Sequence, residues 1–206
     1  MRRVAYLLVF LFISVSAGAQ INLYVGGSLQ GNYSWIRADE HTFKPGFGAG
    51  LSFVYWEYEY WFIKAGLDYH FSSSSCLHYP EAYGIPITSP DDKVIITYSE
   101  HTGGIPLTVY FRPYEWGENT MLITGSLEMM FIARLEMNSE EYGELKLGSS
   151  EVRSWTKTNV GIGVGYQRQL DQHMYLNIIP SFNVDIRADR PFNTIKLTAE
   201  LIFGIY

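Results

Sequence analysis

A chain of 206 residues that is 47% hydrophobic, 16% aromatic and only 17% charged has ample apolar surface to bury, which excludes a disordered segment, and its length allows one domain, two at most. A formal charge of −6 excludes a generally basic, nucleic-acid-binding surface. The single cysteine excludes a disulfide framework and any multi-cysteine zinc or iron–sulfur centre.

The chain opens with Arg2 and Arg3, an apolar run over 4–15, and the small-residue exit Ala17-Gly18-Ala19 before Gln20. A positive head, a short apolar body and an A-x-A exit predict a secretory signal peptide over 1–19, leaving a mature domain over 20–206. The apolar run holds twelve residues, too few for the roughly 20 that span a bilayer as a helix. Removal of Arg2 and Arg3 takes the mature chain to −8. Cys76 lies far from the cleavage point, so the arrangement for lipid attachment at a new N-terminus is missing.

From Ile21 onward the apolar residues fall on every second position. Eight such runs follow one another, over 21–34, 47–55, 61–72, 105–111, 121–131, 159–167, 174–187 and 195–205. In the third, Trp61, Ile63, Ala65, Leu67, Tyr69 and Phe71 alternate with Lys64, Gly66, Asp68, His70 and Ser72. Alternation of this kind gives an extended strand one apolar and one polar face. The junctions alternate as well. Long polar stretches (37–45, 73–99 and 138–153) interleave with short ones (56–60, 113–119 and 170–173), and only 188–191 breaks the rhythm. An even number of strands of about ten residues, with long loops at one rim and short turns at the other, predicts an all-β, eight-stranded antiparallel up-and-down transmembrane β-barrel in the bacterial outer membrane.

A soluble exported sandwich or lipocalin-like barrel also alternates, but turns its apolar side inward. The polar positions here favour apolar-out, because glycines and charges would build a poor core. Lys64, Asp68, Glu128, Lys157, Asp185, Arg187, Lys196 and Glu200 are expected to pair inside the lumen, four acids against four bases. Trp35, Tyr55, Trp61, Tyr69, Phe71, Phe111 and Tyr166 sit at run ends, where interfacial aromatic girdles belong.

The exit Ala19-Gln20, the segment 64–69 (Lys-Ala-Gly-Leu-Asp-Tyr), the segment 104–110 (Gly-Ile-Pro-Leu-Thr-Val-Tyr) and the segment 161–166 (Gly-Ile-Gly-Val-Gly-Tyr) resemble the small outer-membrane β-barrel family of Bacteroidetes, its PorT-like branch in particular. The resemblance implies a barrel with both termini periplasmic, insertion by the barrel-assembly machinery, and an association with the type IX secretion and gliding apparatus. The family's barrels end on an aromatic residue in the lipid-facing phase; here Tyr206 is terminal but out of phase with Leu201, Phe203 and Ile205, or follows a bulge.

Few residues carry a chemical motif. His70 and Ser72 share one side of a strand, and small barrel enzymes that deacylate lipid A use a His-x-Ser pair with an acidic partner; no partner can be named from the sequence, and a polar pair leading into a loop is the plainer reading. His41, His78, His101 and His173 are scattered, which gives a metal site little support. Gly161, Gly163 and Gly165 alternate inside a strand and open no helix, so they cradle no phosphate; they are expected to make room for bulky lumen neighbours such as Tyr175 or Tyr110. Cys76 is expected in a long surface loop as an unpaired thiol. No cofactor is implied. The expected partners are outer-membrane lipid and proteins of the outer membrane or periplasm, met through loops that carry Tyr79, Pro80, Tyr83, Ile85, Pro86 and Ile87, then Glu140, Glu141, Tyr142 and Glu144. The function expected is non-enzymatic, as scaffold or partner-binding component; a lipid A-modifying enzyme is the alternative.

Overall fold

The computed structural model describes residues 22–36, 41–78, 93–139, 141–145, 156–186 and 192–205. The expected signal peptide, Glu140, Arg187, Tyr206 and the loop residues from Tyr79 to Ile87 lie outside them. No helix among the described residues is long and apolar enough to cross a membrane; strands make up nearly all of what is described. They are β1 (Leu23–Ile36), β2 (His41–Tyr58), β3 (Trp61–His78), β4 (Val94–Trp116), β5 (Asn119–Ser139), β6 (Gly143–Leu145), β7 (Thr156–Asp171), β8 (Met174–Asp185) and β9 (Phe192–Ile205). Each long strand pairs antiparallel with its neighbours, β1 pairs with β9, and the additional β4–β5 pairing completes the circuit. The result is a closed barrel of eight strands. The three residues of β6 only fold back along the end of β5.

The direction of the side chains follows the alternation. Leu51 is 74% exposed on the outside, and Leu67 and Ile162 are each 68% exposed, whereas Lys64, Glu128 and Glu200 are 5%, 4% and 0% exposed. A closed barrel leaves no unpaired edge, and its outward apolar residues meet hydrocarbon while polar ones line the interior. The soluble alternative, with its apolar side inward, is thereby overturned.

Strand length departs from the expectation of about ten residues: β4 has 23 and β5 has 21. The stretch 73–99, expected as one long loop, is strand at both ends, with Ser72↔Glu100 and His78↔Val94 in register. Cys76 accordingly lies within β3, opposite Ile96, and not in a loop. The reason is environmental. Beyond the apolar belt Ser73, Ser74 and Ser75 are polar at every position and all buried, so β3 continues its ladder beside Ile96 and Tyr98 of β4 without any apolar–polar alternation to betray it.

Two-residue turns at Glu59-Tyr60, Gly117-Glu118 and Gln172-His173 close one rim. Gly117 sits at φ 61°, the left-handed conformation that tight hairpins need and side-chain-bearing residues resist. Bulges accompany two of the strand prolines, with register shifts across Phe43–Phe47 around Pro45 and across Phe111–Tyr114 around Pro113. Proline donates no ladder hydrogen bond and is tolerated at such breaks.

The interior has two halves of different chemistry. Near the short turns, Val54, Trp56, Phe62, Tyr110, Leu122, Ile179 and Ile202 form an apolar cluster inside the barrel, with Tyr24 and Tyr175 packed against it. The Phe62 ring stacks on Tyr110 at 4.4 Å and on Trp56 at 4.8 Å, and the Arg112 guanidinium covers Trp56 at 4.6 Å. Above this plug the interior is mainly polar, with Met130 among its lining residues.

Candidate functional site in the barrel interior

Residues far apart in the chain are brought together because every second side chain of each strand enters one narrow tube. Glu200 of β9 receives Lys64 of β3 at 2.8 Å, the Tyr110 hydroxyl of β4 at 3.0 Å and the Asn177 amide of β8 at 3.0 Å. One level further from the short turns, Glu128 of β5 holds His70 Nε2 of β3 at 2.6 Å on one carboxylate oxygen and Lys196 of β9 at 3.0 Å on the other. Asp68 accepts a hydrogen bond from the Gln30 amide of β1 at 3.0 Å and lies 3.9 Å from His70 Nε2. Lys157 of β7 pairs with Glu100 of β4. Apart from Asn177–Glu200, which joins adjacent strands, and Asp68–His70 within β3, these contacts link strands that are not neighbours in the barrel wall. A buried ion pair contributes little net energy but is costly to break, so together they fix the barrel's cross-section.

Of the eight lumen charges expected from sequence, Lys64, Asp68, Glu128, Lys157, Lys196 and Glu200 enter this set of contacts. Asp185 is buried at the end of β8, and Arg187 lies outside the described residues. Glu100 was missed. It sits just beyond the stretch taken for a loop, where alternation gives no signal.

His70 is placed differently from the expected rim pair. It is 1% exposed and deep in the tube, with Glu128 supplying the acidic partner that sequence could not name. Ser72 lines a small cavity with His70, Glu100, Lys157 and Lys196, but no hydrogen bond joins Ser72 to His70. The Nε2 of the imidazole is engaged by Glu128, and Nδ1 lies against Gly48. A nucleophile and its base need that bond, and lipid lies on the other side of the wall.

The glycines of β7 meet smaller neighbours than expected. Cβ atoms there would collide with Asn183 and Ser126 at Gly161, with Thr124 and Pro180 at Gly163, and with Ile178 and Ile179 at Gly165, not with Tyr175 or Tyr110.

The expected girdle residues stand on the outward set of positions, at two levels. Tyr55, Trp61, Phe111 and Tyr166 are near the short turns, where Trp61 stacks on Tyr58 at 4.5 Å and Tyr166 lies 6.2 Å from Trp116. Trp35, Tyr69 and Phe71 are toward the opposite rim. Trp35 lies 6.1 Å from Phe182, Phe71 lies 5.4 Å from Phe47, and the Tyr69 hydroxyl bonds His101 at 2.6 Å.

This geometry has counterparts among solved structures. Neisserial surface protein A superposes with a TM-score of 0.52 at 11% identity, over 89% of this chain and 97% of that one. The fold is that of small bacterial outer-membrane β-barrels. The attachment invasion locus protein Ail of Yersinia pestis, in complex with the heparin analogue sucrose octasulfate, is similar at 16% identity and a TM-score of 0.39, over 88% and 99% of the two chains. The outer-membrane protease OmpT of Escherichia coli is similar at 6% identity and a TM-score of 0.40, over 92% and 100%. No protein-family model matches the chain, and no curated protein sequence matches it. With its apolar face outward and its charges within, the barrel resides in the bacterial outer membrane.

Proposed function

We propose that this barrel is a non-enzymatic outer-membrane component that works through the rim bearing its long loops, as a scaffold or partner-binding element. One observation carries the reading: the tube is filled. Cross-lumen ion pairs occupy its middle and an aromatic plug its lower end, and two cavities beside the ion pairs measure about 20 and 60 Å³, room for a few waters. An interior of this kind supports a rigid mount better than a pore, and function then falls to the loops. The wall formed by β3, β4 and β5 rises furthest at that rim, and the short-turn rim with both termini is assigned to the periplasm. The specific version, a PorT-like component linked to type IX secretion, draws its support from the sequence segments that resemble that branch.

The test is a pull-down from outer membranes with the intact chain and with a variant in which residues 79–92 are replaced by a short Gly-Ser linker. The reading expects a stoichiometric partner with the first and its loss with the second, while both remain folded by heat-modifiable gel mobility. The enzyme alternative is tested separately by lipid A mass spectra from cells with and without the gene. A change in acylation abolished by Ser72→Ala would replace the scaffold reading with the enzyme.

A further inference from the structure

We propose that Asp68, His70 and Glu128 form a binding site for one divalent transition-metal ion of the zinc type. One ligand atom from each of the three lies within 4.8 Å of the others. An imidazole and two carboxylates are a common donor set for such an ion, at about 2.0–2.2 Å each. Donors around an ion at that distance stand roughly 3.4 Å apart. The two spacings from His70 Nε2, 2.6 Å to Glu128 and 3.9 Å to Asp68, bracket that value, and the two carboxylates lie within 4.8 Å of each other, so side-chain adjustments on the order of 1 Å would seat the ion.

The second observation concerns Gln30. It is 7% exposed, and its Oε1 receives no hydrogen bond; nor has His70 Nδ1 any partner. Both atoms abut the space beside Gly48, where a Cβ would lie 2.8 Å from His70 Nδ1 and 3.5 Å from Gln30 Oε1. In the metal-free arrangement Nε2 carries the proton donated to Glu128, so Nδ1 presents a lone pair next to the lone pairs of Gln30. An ion on Nε2 reverses the tautomer. Nδ1 then carries the proton, and a shift of the Gln30 side chain would bring its unpaired Oε1 to it as acceptor, the outer-layer contact that metal-bound histidines ordinarily have. The other carboxylate oxygen of Glu128 keeps Lys196, and the Gln30 amide keeps Asp68, so both ligating carboxylates are themselves hydrogen-bonded.

Charge favours the ion as well. With a neutral imidazole, Asp68, Glu128 and Lys196 sum to −1, and the nearby Lys64 is engaged by Glu200. Two cavities flank the cluster. One is lined by His70 and Lys196, the other by Asp68, Glu128 and Lys196. They give a small ion room beside its ligands where a larger ligand would not fit.

The experiment is calorimetric titration of Zn²⁺ into the purified, detergent-folded full barrel, with Co²⁺ absorption as a second readout of the ligand set. The expected result is one ion per chain, with affinity lowered at least about 100-fold by His70→Gln and by Asp68→Asn, about 10-fold by Gln30→Leu, and unchanged by His101→Gln on the outer wall. Folding of each variant is checked by heat-modifiable mobility, and Asp68→Asn stands in should His70→Gln not fold. A folded wild-type barrel that binds no Zn²⁺, or one whose affinity survives both ligand substitutions, overturns the proposal.

Discussion

Lys64 and Glu200 meet across the tube at 2.8 Å, and Glu200 has no contact with solvent. Replacing Lys64 with Met leaves the carboxylate with only the neutral Tyr110 and Asn177 donors. A buried charge stripped of its ion-pair partner typically costs about 3–5 kcal/mol, so Lys64→Met should lower the unfolding free energy by roughly 3 kcal/mol in urea titrations of the lipid-reconstituted barrel. Adding Glu200→Gln removes the orphaned charge and keeps the acceptor for Tyr110 and Asn177. The double variant should therefore recover at least about half of the loss. A double variant as unstable as Lys64→Met alone would show that methionine packing, not the charge, sets the cost.

At the scale of the strand, one period-two pattern decides which residues meet lipid. Leu67 stands near the middle of the outward run of β3 and is 68% exposed, so Leu67→Arg places a cation in hydrocarbon and should cost about 2–4 kcal/mol. Asn138, exposed near the end of β5 beyond the apolar belt, should accept Arg within about 0.5 kcal/mol. Equal costs at the two positions would mean that the belt is misplaced. The same reasoning explains what was legible. Wherever one face meets lipid and the other the lumen, as at Lys64, Leu67, Asp68 and Glu128, alternation betrays the strand, and the charges and glycines at the polar positions betray its orientation. It fails at both ends. Beyond the belt, Ser73 to Ser75 are polar at every position and buried without alternation, so the stretch reads as loop, which also hid Glu100. Near the short turns, Val54, Trp56, Phe62 and Ile202 make the inner face apolar too, so the plug left no contrast to read. His70 was visible as a residue but not as a neighbour of Glu128, 58 positions away; only the closure of β3, β4 and β5 into one curved wall brings them together.

The whole molecule is a tube with unlike ends. The polar half opens toward the long loops, and the aromatic half is shut by Trp56, Phe62 and Tyr110 under the Arg112 guanidinium. An eight-stranded barrel is just wide enough for side chains to fill, unlike the water-filled channels of sixteen-stranded porins, so the intact protein should give no resolved channel steps in planar bilayers. The plug makes a sharper prediction than barrel size alone. If its rings are the barrier, the Trp56→Ala, Phe62→Ala double variant should open the narrow end and raise ion flux above the wild-type baseline. Large core truncations cost about 3–5 kcal/mol each, so only material retaining heat-modifiable mobility is compared. Flux that rises instead on Glu128→Ala, with the plug intact, would move the barrier up to the ion pairs, because the rings alone would then have been too leaky to hold it. Porin-sized steps from the unaltered barrel would contradict the filled tube itself, and with it the assignment of function to the rim.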